Sequence, residues 1–243
     1  MFKKFPFFNK KNISTENRTE PLHYERLLHY ISSNKAQKNL SLSSKQQEQL
    51  IIKFEKMLAN DIMTEFRNDL LNEFTDTTYN DAHDLLKTVF DTDTCYSCKK
   101  IINRTTPIKL DNNDIIKLNV NDYPTISKIW HSERLLQALA KISNINNEPF
   151  NTYVTGHLIE PLDLIIVSNN NHRIASALLQ KTDVPVHINQ IHNISSWYDQ
   201  CYIKNNRIYH EHCHNNIINP DLYYPKEVAL LFETGKMRIA LNK

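Results

Sequence analysis

The chain has 243 residues, 40% of them hydrophobic and 23% charged, with a formal net charge of +2. Such a composition folds and buries a core, and its near-neutral charge excludes a broad electrostatic footprint for nucleic acid, leaving at most a local groove. No apolar run approaches the ~20 residues that span a bilayer, the apolar part of the N-terminus is too short for a secretory signal, and the cysteines are too few for a disulfide framework, so a reducing cytoplasm is the expected setting.

Residues 1–20 read as a flexible N-terminal segment. Phe2, Phe5, Phe7 and Phe8 interleave with Lys3, Lys4, Lys10 and Lys11. That pattern fits a peripheral membrane or polyanion contact, but a frayed terminus is the simpler reading. Residues 21–107 read as a helical region. Leu22, Tyr24, Leu27, Leu28 and Ile31 recur at helical spacing, and Ser43 or Ser44 caps a helix beginning at Lys45. Leu50, Phe54, Met57, Leu58, Ile62, Phe66, Leu70 and Phe74 then form an apolar stripe. The stripe predicts a core-facing helix, with a partner-binding face within residues 21–75 as the alternative. Residues 81–90 predict a further helix.

Cys95 and Cys98 stand two residues apart, a spacing that can place two thiolates on one metal ion or form a redox dithiol. Far along the chain, His210, His212, Cys213 and His214 make a second cluster. Neither cluster meets an established ligand spacing by itself. The expectation is therefore ordinary thiols and a polar His-rich loop, and no metal site. Zinc on some of Cys95, Cys98, His210, His212, Cys213 and His214 is left open.

From residue 108 the pattern becomes mixed. Residues 108–110 and 115–120 predict short strands around Asp111-Asn112-Asn113-Asp114, a turn-rich tetrapeptide. Residues 132–142 predict a helix capped by Ser132, with Leu135, Leu136, Leu139 and Ile142 on one face. Tyr153 and Val154 read as an edge strand, followed by a loop carrying His157 and Glu160 into a central strand over 162–167. A helix follows to about Gln180, then a strand over 184–188, together a βαβ-like unit. Residues 202–209 predict a hairpin turning at Asn205-Asn206. Pro225 opens a short helix over 226–233, stopped by Gly235.

The most informative stretch is the strand-to-helix junction Asn169-Asn170-Asn171-His172-Arg173. The chain holds only two glycines, so its tight turns fall to Asn and Asp, which tolerate a left-handed backbone. A helix start offers unpaired N–H groups and the positive end of the helix dipole to an anion. Arg173 adds a planar fork suited to phosphate, and His172 adds a donor that can also act as general acid or base. Asn169, Asn170 and Asn171 can cap the helix or orient a phosphate oxygen. His157 and Glu160 are further catalytic candidates, with structural packing as the alternative.

Residues 165–179, with Thr182-Asp183-Val184-Pro185-Val186-His187-Ile188 after them, resemble the core of the ParB/sulfiredoxin superfamily. Its members share a strand, a turn often written Asp-Gly-x-His-Arg, a helix rich in Ala and Leu, and a strand opening with a Val-Pro-Val-type segment. Residues 115–142 match the preceding strand and helix. Residues 149–161 and Asn193-Ile194-Ser195-Ser196-Trp197-Tyr198 resemble an uncharacterised bacterial branch of that superfamily. The resemblance covers roughly residues 108–210.

The resemblance implies an α+β fold: a small mixed sheet with packed helices over 108–210, preceded by the α-helical region and followed by a C-terminal extension, 211–243, packing on the core. It further implies a nucleotide triphosphate, with Mg²⁺, at the Asn–His–Arg turn. In the sulfiredoxin branch the matching His and Arg contact ATP phosphates, and in the ParB branch the matching segment contacts CTP; other branches are nuclease-like or kinases of serine. Asn171 stands where sulfiredoxin has its reactive cysteine, which excludes sulfinate repair, since that reaction requires a thiolate. Asn169 replaces the usual acidic residue and Asn170 the usual Gly. The functional expectation is a nucleotide-phosphate-binding protein, with phosphoryl transfer, NTP hydrolysis or nuclease-like hydrolysis as the reaction if it is an enzyme. The alternative is a non-catalytic protein- or membrane-interaction module using its helical N-terminal region.

Overall fold

A computed structural model describes residues 42–72, 98–100, 106–111, 115–129, 132–143, 153–205, 207–215 and 225–241. The Phe/Lys terminus, the apolar residues 22–31, the helix expected over 81–90 and Cys95 lie outside the described residues. The architecture is mixed α+β, with four α-helices and a mixed sheet among the described residues. None of these helices is long and apolar enough to cross a membrane.

Helix α1 spans Ser44–Asn72. Ser43 starts it through a reciprocal capping box: the Gln46 N–H donates to Ser43 Oγ at 3.3 Å, and the Ser43 N–H donates to Gln46 Oε1 at 2.8 Å. Its buried face is formed by Ile51, Phe54, Leu58, Ala59, Ile62 and Met63. Met57, expected in the stripe, is instead 48% exposed. The apolar face is used within the chain: Phe54, Leu58, Ala59 and Ile62 share a core with Val228, Leu231 and Phe232 of the C-terminal helix.

Strands β1 (Ile108–Lys109) and β2 (Ile116–Asn119) do not pair with each other; the turn expected between them lies mostly outside the described residues. Both run antiparallel to β6 (Pro185–Asn193), Ile108 opposite Ile191 and Ile116 opposite Ile188. β3 (Thr125–Ile126), β4 (Thr155–Glu160) and β5 (Leu164–Val167) complete the sheet, whose order is β1-β6-β4-β5-β3 with β2 also on β6. β4 is therefore central. His157 and Glu160 lie in this strand, and not in the loop predicted for them, because 155–160 pairs along its whole length with β6.

Helix α2 is Ser132–Ser143 and α3 is Asn171–Gln180. In α2, Leu135 is buried with Ala175 of α3 and Ala138 is also buried, whereas Leu136 is 63% exposed, contrary to the expected face. The expected βαβ unit is also revised. β5 and β6 are separated by β4, which is antiparallel to β5 and parallel to β6. Hence the two strands joined by α3 run in opposite directions. The expected hairpin follows, β7 (Cys201–Lys204) with β8 (Arg207–His210), and Asn205 stands at φ 51° in its turn, while Asn206 lies outside the described residues.

Helix α4, Pro225–Leu241, opens at Pro225 as expected but runs through Gly235. Gly235 is not a stop: a Cβ built there overlaps the Tyr198 hydroxyl, so the glycine exists to admit that ring. Its role lies in packing across α4 and not in chain termination.

The sheet has two apolar faces. Ile126, Ile159, Leu164 and Ile166 pack toward α1 and α4, with Trp197 in the same core. Leu158, Ile165, Val167, Val186 and Ile188 pack toward Ile174 and Ala177 of α3. Each fully buried side chain of this size contributes about 1.5–3 kcal/mol. At Gly156 a Cβ would stand 2.9 Å from Val186 Cγ1 and 3.0 Å from the Ile166 carbonyl, so the glycine lets β4 lie close to both neighbours.

Candidate functional site

The strand-to-helix junction forms at the end of β5 that lies beside the start of β4. The Ser168 N–H donates to the Thr155 carbonyl at 2.9 Å. Asn170 then adopts φ 55°, ψ 28°, the left-handed region, and serves as the N-cap residue of α3. This is the conformation that the usual glycine of the turn supplies freely and that asparagine reaches at modest cost. The Asn170 side chain makes no capping hydrogen bond to the helix.

The three asparagines hold the turn in place. Asn169 Oδ1 accepts from the Thr155 N–H at 2.8 Å. Asn169 Nδ2 and Asn170 Nδ2 both donate to the Tyr153 carbonyl, each at 3.3 Å. Asn171 is 3% exposed. Its Oδ1 accepts from the Lys128 N–H at 3.2 Å and its carbonyl accepts from Ser127 Oγ at 2.7 Å, tying the first turn of α3 to the segment after β3. Of the two cationic candidates, His172 is 7% exposed and Arg173 is half-buried. The polar side chains thus build a rigid turn, and Arg173 is the more accessible of the groups that can meet an anion.

The structure also assembles residues that the sequence reading missed. His187 of β6 lies opposite Thr155, and its ring centroid is 4.2 Å from that of Tyr153. Its Nδ1 is buried with no partner among the described residues. Burial, and secondarily Lys117, holds its imidazole below the ordinary range. Alternation of Val186 and Ile188 into one core already placed His187 on the opposite face. His192 was not legible in this way. The register shifts between Gly156 and His157, with Ile188 opposite the first and Gln190 opposite the second, so the alternation changes phase along β6.

That bulge brings His192 against His157. Nδ1 of His157 and Nε2 of His192 are 3.0 Å apart, and the rings stack with centroids 5.2 Å apart and 13° between planes. One ring must donate and the other accept, so the pair is a proton-sharing unit. Glu160 is not part of it. It lies at the far end of β4, on the order of 17 Å from Thr155 at about 3.3 Å per residue, where Asn193 Nδ2 approaches its Oε2 at 3.5 Å. His157 lies between the two ends, and Glu160 is not brought to the Asn–His–Arg turn.

The cysteine and histidine clusters meet at a separate place. Cys98 Sγ is 3.1 Å from His212 Nε2, and Cys213 joins them. His210 is fully buried, 3.8 Å from Cys201 Sγ through its Nδ1. His214 turns to the Tyr202 hydroxyl, 3.3 Å from its Nδ1. Cys98, Cys201 and Cys213 are in no disulfide.

A family model described as a family of unknown function (DUF6710) matches residues 4–243, and the chain belongs to that family. No curated protein matches it, and no solved structure matches it.

Proposed function

We propose that this family member is a ParB/sulfiredoxin-like protein that binds the phosphates of a nucleotide at the start of α3. The observation that carries the reading is Asn170. It takes the left-handed conformation where the resembling turn has glycine, and as N-cap residue of α3 it makes no side-chain capping bond. A preorganised helix start favours an anion through its N–H groups and dipole. Asn169 and Asn170 fix the turn through Tyr153 and Thr155, so less ordering is required when a ligand arrives.

Arg173 is the residue assigned to phosphate contact, and His172 supports it at the same turn. The junction 169–173 contains no carboxylate. It therefore offers no anionic side chain to a divalent ion, and Mg²⁺ would be carried mainly by the phosphates themselves. If the protein is an enzyme, His172 is the group at this turn suited to moving a proton, with phosphoryl transfer or hydrolysis as the reaction class, since the His157–His192 pair shares the sheet face of Ile166 and not that of α3. The alternative reading, a partner-binding helical region, draws less support, because the described apolar face of α1 is buried on α4.

Calorimetry with ATP, CTP and GTP in the presence of Mg²⁺ tests the proposal. At least one nucleotide is expected to bind. Arg173→Ala should weaken that binding by about tenfold or more, as loss of a charge-assisted hydrogen bond does. No binding by any of the nucleotides, or binding unchanged in Arg173→Ala with His172→Ala, would overturn it.

A further inference from the structure

We propose that Cys98, His212 and Cys213 bind a zinc ion that clips the 98–100 segment to the loop after β8. Cys98 and His212 are 114 positions apart in sequence, yet their Sγ and Nε2 atoms are 3.1 Å apart. One ligand atom from each of Cys98, His212 and Cys213 lies within 4.8 Å of the other two. A tetrahedral zinc at about 2.3 Å from sulfur and about 2.0 Å from nitrogen keeps its ligand atoms roughly 3.5–3.8 Å apart. A cluster of this span therefore needs only small side-chain adjustments to close on an ion. Two thiolates and an imidazole are the donor set zinc prefers, and carboxylate-seeking ions such as Mg²⁺ and Ca²⁺ do not.

The backbone supports the same reading. Each of the two thiols is followed directly by a non-glycine residue in the left-handed region, Lys99 at φ 58° after Cys98 and His214 at φ 54° after Cys213. Such residues cost of order 1–3 kcal/mol and persist where surrounding structure over-determines them. The His212 loop is closed by backbone hydrogen bonds, His214 N–H to the His210 carbonyl at 2.9 Å and His210 N–H to the Asn215 carbonyl at 3.0 Å. It presents its two donors from a fixed frame. An ion here ties together parts of the chain separated by the sheet strands and two helices, so its binding energy contributes to folding.

The inference is independent of the nucleotide reading, since it uses none of the residues assigned there. The full chain, purified without chelator, is assayed for zinc by mass spectrometry. About one zinc per chain is expected, as for a structural site. Cys98→Ser, Cys213→Ser and His212→Ala should each lower the content at least severalfold, while His214→Ala keeps it. Should those variants fail to fold, wild-type protein loaded with Co²⁺ gives a second readout. Intense visible bands of a tetrahedral ion with thiolate-to-cobalt charge transfer are expected, and a zinc chelator should lower the thermal midpoint. Less than half an equivalent of zinc in wild type, absence of the charge-transfer band, or formation of a Cys98–Cys213 disulfide in place of metal uptake would overturn the proposal.

Discussion

Arg238 Nη1 donates to Glu55 Oε2 at 3.2 Å, joining the last helix to a carboxyl group on α1 that has no exposure to solvent. The same nitrogen donates to the Leu162 carbonyl at 3.0 Å, and Nη2 pairs with Asp163. One guanidinium thus bridges α1, α4 and the turn between β4 and β5. Burial outweighs Arg238 and pushes the Glu55 carboxyl up to about 8 from its ordinary 4.5.

The sign of the resulting pH dependence follows from proton uptake. Between pH 4.5 and about 8 the folded chain keeps a proton on Glu55 that the unfolded chain has released. Stability from this group is complete below the unfolded value and is lost as pH rises through the folded one. Urea denaturation from acid to mildly alkaline pH is expected to show stability falling over that interval, and Glu55→Gln should flatten the slope. Arg238→Leu should destabilise the protein throughout, by about 1–3 kcal/mol for each buried acceptor left without its donor. An unchanged slope in Glu55→Gln would contradict the assignment.

Gly235 gives a prediction opposite to helix propensity. Alanine in a helix interior is favoured over glycine by about 1 kcal/mol. At this position the added Cβ meets the Tyr198 hydroxyl, whose oxygen is buried without a partner among the described residues. Gly235→Ala is therefore expected to lower stability by about 1–3 kcal/mol, the usual cost of overpacking. Tyr198→Phe removes the nearest atom and should restore part of the loss. Thermal denaturation of the two single variants and the double variant measures this, and a stabilised Gly235→Ala would show that α4 does not pack as described.

Asn170 can be tested by comparing two substitutions that both delete its donor to the Tyr153 carbonyl. Asn170→Gly should be more stable than Asn170→Ala by about 1–2 kcal/mol, because only alanine carries the full penalty of a left-handed backbone. Chemical denaturation of the pair isolates the backbone term. Equal stabilities would mean that the turn does not require φ near 55°.

Local signals in the sequence located much of this structure. Asn-rich junctions marked the left-handed turn at Asn170 and the hairpin at Asn205, since a chain with two glycines has few other residues for such positions. The capping pattern before α1 and Pro225 at the start of α4 act within one turn of chain, so they too were readable. Helical spacing found α1 and α2 but misplaced Met57 and Leu136, because periodicity fixes the width of an apolar face only loosely and the partner helix decides its edge.

Tertiary structure decided what depends on neighbours far along the chain. Which strand lies beside β5 is settled by pairing partners, and so β4 emerged as a central strand that separates β5 from β6. The shift opposite Gly156 and His157 reversed the alternation of β6 and delivered His192 to His157, a contact that regular period-2 reading cannot foresee. Gly235 looked like a helix stop because local propensity knows nothing of Tyr198. The sequence by itself determined the left-handed turn at Asn170 and the two separated sulfur and imidazole clusters. Only the folded chain brought Cys98 to His212 and Cys213, since joining residues 114 positions apart is a property of topology and not of spacing.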